Sequence, residues 1–132
     1  MKKYSVNYLW LVIVALLLVH CGEEQFNVQY PTDQVPPKKV SNVQVVNLAG
    51  AVQISYDLPD EQDLMYVKAV YPLSTGGMGE IKVSAFSNRM LIKGFGRSKK
   101  HVIDLVSVDK SLNESDPVKV EIEPGDSPIF GI

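Results

Sequence analysis

The chain has 132 residues, of which 45% are apolar, 21% charged and 8% aromatic, with one Cys, two His and a formal charge of -2. That length suits one domain, and the charged and apolar fractions exclude a wholly disordered, collagen-like or multi-span membrane chain. A slightly acidic balance also argues against nucleic-acid binding, which needs a basic face.

The N-terminus reads as an address. Lys2 and Lys3 precede an unbroken apolar run from Leu9 to Val19, the layout of a secretory signal. The run falls short of the roughly 20 apolar residues that cross a bilayer. Residues 1–20 are therefore expected to be removed, Trp10 with them.

Leu18-Val19-His20-Cys21 resembles a lipobox, with His20 where a small Gly, Ala or Ser is usual. The resemblance implies a diacylglycerol on the Cys21 thiol, the alternative being a free thiol, which secreted proteins rarely expose. Several acyl chains bury methylenes at about 0.8 kcal/mol each, which makes a durable anchor. Gly22-Glu23-Glu24 resembles the acidic export signal of Bacteroidota surface lipoproteins and implies the outer face of the outer membrane. The periplasmic face is the alternative, with the two Glu then only a solvated linker start. Loss of residues 1–20 takes the charge from -2 to -4, so the membrane partner is the lipid on Cys21 and not anionic head groups. A single Cys makes no internal disulfide.

Residues 21–37 read as a tether. Pro31, Pro36 and Pro37 stand among Gln, Asn, Thr and Asp without periodicity, which favours an extended, solvated chain. Fully extended from Glu23 to Pro37, it would lift a domain about 45 Å. Phe26, Val28 and Tyr30 alternate and could add a strand to a partner, or be incidental.

Residues 38–124 carry the period of strands. Val43, Val45 and Leu48 come first, then Val52, Ile54 and Tyr56 alternating with Gln53 and Ser55. Leu64 to Tyr71 puts Val67, Ala69 and Tyr71 on one side and Tyr66, Lys68 and Val70 on the other. A helix starting at Asp60 is the alternative there, but the β-branched and aromatic run ending at Pro72 favours a strand. Gly76-Gly77-Met78-Gly79 predicts a hairpin turn leading into Ile81, Val83 and Ala85. Met90, Ile92 and Phe95 follow, then Ile103, Leu105 and Ser107 alternating with outward Asp104 and Val106, then Val118, Val120 and Ile122. Seven short strands with no crossover helix predict an all-β, seven-stranded antiparallel β-sandwich, and residues 125–132 a C-terminal tail.

The segments 52–59, 64–71 and 103–117, with Val108-Asp109 and Asn113-Glu114-Ser115, resemble strands and loops of fibronectin type III domains. More closely they resemble a domain of unknown function at the N-terminus of Bacteroidota lipoproteins linked to glycan utilisation. Tyr56 stands where many such domains have a core Trp. His101 stands at the usual Tyr that begins the sixth strand, so the tyrosine-corner hydrogen bond is not expected. Members are commonly longer, so a chain ending at Ile132 resembles a truncated or minimal form.

Little in the residues points to catalysis. After cleavage His101 is the sole imidazole; a Ser-His-Asp arrangement would have to use it, but a lone His at a strand entrance reads as structural or solvated, and a His- or Cys-rich zinc site lacks ligands. Glycoside hydrolysis needs two carboxyls about 5 to 10 Å apart across a sugar cleft, for which a small two-layer domain has little room. Asp57, Asp60, Glu61 and Asp63 could ligate Ca²⁺ but lack EF-hand spacing and read as a solvated turn. Lys93, Arg97, Lys99 and Lys100 could hold an anionic glycan or simply guard strand edges. Tyr66 and Phe86 are the aromatic side chains left for a carbohydrate platform. The expectation is therefore a non-catalytic, lipid-anchored spacer or docking module of a cell-surface glycan-capture assembly, without cofactor or metal, partnered by protein or polysaccharide. The alternative is a carbohydrate-binding module.

Overall fold

The computed structural model describes residues 10–15 and 32–129. Residues 10–15 are helical, and no helix among the described residues is long and apolar enough to cross a membrane. Cys21 and the Gly22-Glu23-Glu24 stretch lie outside the described residues.

Seven strands form two antiparallel sheets. The strands are β1 (Ser41–Leu48), β2 (Ala51–Asp57), β3 (Leu64–Pro72), β4 (Met78–Ser84), β5 (Arg89–Lys93), β6 (His101–Asp109) and β7 (Val118–Ile122). One sheet runs β1-β2-β5 and the other β4-β3-β6-β7. The segment after Asp60 is thus a strand and not a helix, because Val67 and Ala69 need the period of two to meet the facing sheet.

Alternation decides what is inside. Val52, Ile54 and Tyr56 of β2 meet Val67 and Ala69 of β3, Met90 and Ile92 of β5, Ile103 and Leu105 of β6, and Val120 and Ile122 of β7 in one cluster that Phe95 and Val40 extend. Each such side chain contributes about 1.5–3 kcal/mol by leaving water. Two expectations need correction. Leu48, expected inward, is 41% exposed, because it ends an edge strand where the opposite sheet no longer covers it. Val106, expected outward, is buried: the chain after β6 folds back, with Ser115 N donating to Ser107 O and Ser107 N donating to Ser115 Oγ.

The two ends of the sandwich differ. At the first end β1 begins, with residues 32–40 leading into it, and there the β2–β3, β4–β5 and β6–β7 connections gather. The tether is not solvated throughout. Asp33 N donates to Ser111 Oγ, Lys38 N donates to Glu61, and Pro37 is buried. At the second end lie the β1–β2 turn, the β3–β4 turn, the β5–β6 loop and the segment after β7. Gly50, at φ 66, accepts hydrogen bonds from both Gly94 and Phe95 and donates to Gly125 O. Any Cβ at Gly50 would sit 3.1 Å from Phe95 O and from Ser127. The expected tail from residue 125 is therefore bound in its first residues, with Gly125 N on Leu48 O and Ser127 N on Gly96 O.

Candidate functional site

The residues expected to bind sugar lie at the first end or beside it, and the structure does not gather them into a cleft. Phe86 is fully exposed at the β4–β5 turn, which is held by Ala85 N donating to Met65 O. Tyr66 lies in the outer face of the larger sheet, opposite Ser84 on β4. It is half-buried, with Lys82 Nζ 5.1 Å from its ring centroid. Glu80 hydrogen-bonds Lys82 and, with the neighbouring Tyr66 ring, pushes its pKa up. That face is laced with ion pairs, Lys68 with Glu80 and Glu114 and Lys119 with Asp104. Lys68 sits directly across from Val106, and its bond to Glu114 raises its pKa.

The acidic quartet also disperses. Asp57 accepts from Asn42 Nδ2 and Glu61 from Lys38 N. Only Asp63 joins another acidic group, with Asp33 and Asp109, whose carboxylate oxygens all lie within 4.8 Å of one another. Asn113 supplies the donors there: its backbone N and Nδ2 each reach the buried Asp109 carboxylate at 2.9 Å, and Nδ2 also reaches Asp33 Oδ1 at 3.0 Å. The cluster is a closed polar knot that ties the tether to the β6–β7 loop.

His101 begins β6 half-buried. Its ring lies 5.3 Å from Phe95, which in turn lies 6.2 Å from Tyr71. Among the described residues no hydrogen bond engages its imidazole, so neither a tyrosine-corner substitute nor a nucleophile-base pair forms. Tyr56 fills the expected core position, and its hydroxyl is buried without a partner. Desolvation pushes its pKa up to about 12.

The surface formed by the described residues carries several hollows. Beside the β1 irregularity, Asn42, Gln44, Asp57, Asn88 and Arg89 border an open polar depression of about 550 Å³. Pro36, Lys39, Glu114 and Asp116 border another of about 390 Å³ where the tether meets the sandwich. The third, about 440 Å³, lies at the second end between Pro72, Leu73 and Ser74 of the β3–β4 turn and Phe95, Gly96, Arg97, Lys99 and His101. Of the cations noted in the sequence, Arg97 and Lys99 line it; Lys93 and Lys100 do not. Leu73 and His101 were missed as its wall. Strand direction was the available signal, since the end of β3 and the start of β6 must lie together in an antiparallel pair.

A profile for a domain of unknown function, DUF4959, matches residues 37–124. The chain belongs to this family. No curated protein matches it. Among solved structures, the DUF4959 chain is similar to the FN1–FN3 domains of chicken CNTN1, with TM-score 0.60 and 14% identity over 69% of this chain and 32% of that one. It thus spans about a third of that segment. The fn3 domain of human collagen alpha-1(XX) is similar with TM-score 0.60 and 11% identity, covering 74% of this chain and 93% of that one. A beta-1,2-glucanase from Parabacteroides distasonis is similar with TM-score 0.54 and 18% identity, over 69% of this chain and 14% of the enzyme. These likenesses establish the fibronectin type III fold of the DUF4959 domain.

Proposed function

We propose that this DUF4959 chain is a non-catalytic module, anchored through a lipid on Cys21 and acting as a spacer or docking domain in a cell-surface glycan-capture assembly. The observation that carries this is the filled interior. Val52, Ile54, Tyr56, Val67, Ile92, Ile103, Leu105 and Ile122 are almost wholly buried, which leaves the space between the sheets to packing and none to a substrate. Two further features support it. The chain comes in at one end of the sandwich and leaves at the other, as in a linear link, and the apolar run before Cys21 has the length of an export signal. The similar domain in a glucanase is consistent with an accessory place beside glycan chemistry.

The test is Cys21→Ala in the native cell. Loss of fatty-acyl labelling and of membrane association, with the unfolding transition unchanged, is the expected result. Full retention in the membrane fraction would defeat the anchor, and protease protection of the wild type in intact cells would move it to the inner leaflet side.

The complete exposure of Phe86 favours a second reading, a carbohydrate-binding module that stacks sugar on this ring with Tyr66 nearby. Titration with neutral oligosaccharides, compared with Phe86→Ala, decides it.

A further inference from the structure

The groove at the second end brings together concavity, an apolar floor and two cations that lie in no ion pair among the described residues. Pro72 and Leu73 form one wall, and Phe95 with the imidazole of His101 forms the floor. Arg97 and Lys99 stand on the rim, both exposed. Elsewhere on the domain Lys39, Lys68, Lys82 and Lys119 lie in ion pairs, while Lys38, Arg89 and Lys93 form none among the described residues. Among the described residues Arg97, Lys99 and the adjoining Lys100 lie in none, although the chain as a whole is acidic. Asp126, on the segment after β7, accepts a hydrogen bond from Ser98 N at 2.7 Å.

We propose that this groove binds an anionic saccharide, one bearing carboxylate or sulfate groups, with Arg97 and Lys99 pairing the acidic groups and His101 hydrogen-bonding the ring. This goes beyond the function proposed above, which needs no ligand. Three features select the ligand class. Its volume, about 440 Å³, lies in the range of small-molecule sites, roughly 300–1,000 Å³. An arginine fork and an ammonium, both without internal partners, suit carboxylate or sulfate oxygens through charge-assisted hydrogen bonds. A half-apolar wall suits the C–H face of a sugar ring. An acidic peptide fits less well, because turns and loops border the groove and no free strand edge is offered for a backbone ladder. A planar anionic bilayer fits less well again, since the lining is concave and the tether joins the opposite end.

The experiment is calorimetric titration of the full chain in non-ionic detergent micelles, which does not depend on how Cys21 is processed. The probes are a hexagalacturonate, a sulfated hexasaccharide, neutral maltohexaose, hexaglutamate and glycerol phosphate, the soluble equivalent of an anionic lipid head group. At least one acidic sugar binds, the arms telling carboxylate from sulfate, and maltohexaose does not. Arg97→Ala with Lys99→Ala weakens that binding at least tenfold. Lys93→Ala, at the same end but outside the groove, leaves it within twofold. Binding of neither acidic sugar, equal affinity in the double variant, equal loss on Lys93→Ala, or equal binding of hexaglutamate or glycerol phosphate would overturn the proposal. If the double variant fails to fold, the single Lys99→Gln replaces it, with at least a threefold loss expected and no change overturning the proposal.

Discussion

Asn113 and Asp33, eighty residues apart in sequence, are joined by a side-chain hydrogen bond of 3.0 Å, and the same Asn113 amide holds the buried Asp109 at 2.9 Å. The start of the folded unit is therefore set by a loop near its far end in sequence. Asn113→Ala removes the Nδ2 donor from the buried Asp109 carboxylate while leaving the backbone N–H in place, and losing such a bond typically costs about 1–3 kcal/mol. Urea unfolding should fall by that amount, and limited proteolysis should cut residues 33–38 sooner than in the parent.

Tyr56→Phe has the opposite sign. The hydroxyl is buried with no partner, so its removal relieves a desolvation cost. A gain of about 1 kcal/mol in urea unfolding at neutral pH is expected.

The same residue gives a pH dependence. Its folded pKa of about 12 lies above the ordinary tyrosine value of 10.0, because burial disfavours the phenolate. Above pH 10 the unfolded chain loses the proton that the folded one keeps, so stability falls as pH rises. Two units correspond to about 2–3 kcal/mol lost by pH 12. Chemical denaturation at pH 9 and pH 11.5 should show a smaller alkaline loss in Tyr56→Phe than in the parent.

Gly50→Ala should be costly for two reasons. The residue sits at φ 66, and a Cβ would crowd Phe95 O and Ser127 at 3.1 Å. A loss of about 1–3 kcal/mol is expected from the backbone strain alone. Because Gly50 O receives both Gly94 N and Phe95 N, the amides of these two residues should exchange faster in the variant.

Phe86→Ser should leave stability within about 0.5 kcal/mol, since the ring touches water all round and surface changes of this kind are near neutral. A change larger than that in thermal or urea unfolding would mean that the turn packs more closely than it does here.

Much of the sandwich was legible because burial between two sheets imposes a period of two on Val52-Ile54-Tyr56, Val67-Ala69 and Ile103-Leu105, whatever lies elsewhere in the chain. What was not legible depends on partners far away in sequence. Beyond a local bond from Val35 N, Asp33 is held by Ser111 and Asn113, which nothing near it in the chain announces. Val106 looks like an outward position until the returning segment around Ser115 covers it. Leu48 looks inward until the edge of its sheet is located. Likewise Arg97 and Lys99 could be read as a basic run, but their apolar wall at Pro72 and Leu73 belongs to another hairpin.

The pairing of Ala49 with Gly125 is parallel, and it unites the first strand with the segment that follows the last. A pull that separates the two termini drags these segments past each other lengthwise. The bonds from Gly50 N to Gly125 O and from Gly125 N to Leu48 O then carry the load together instead of parting one after another. Such shear loading makes the sandwich a stiff strut under traction, suited to holding its outer tip at a fixed distance from whatever grips its base.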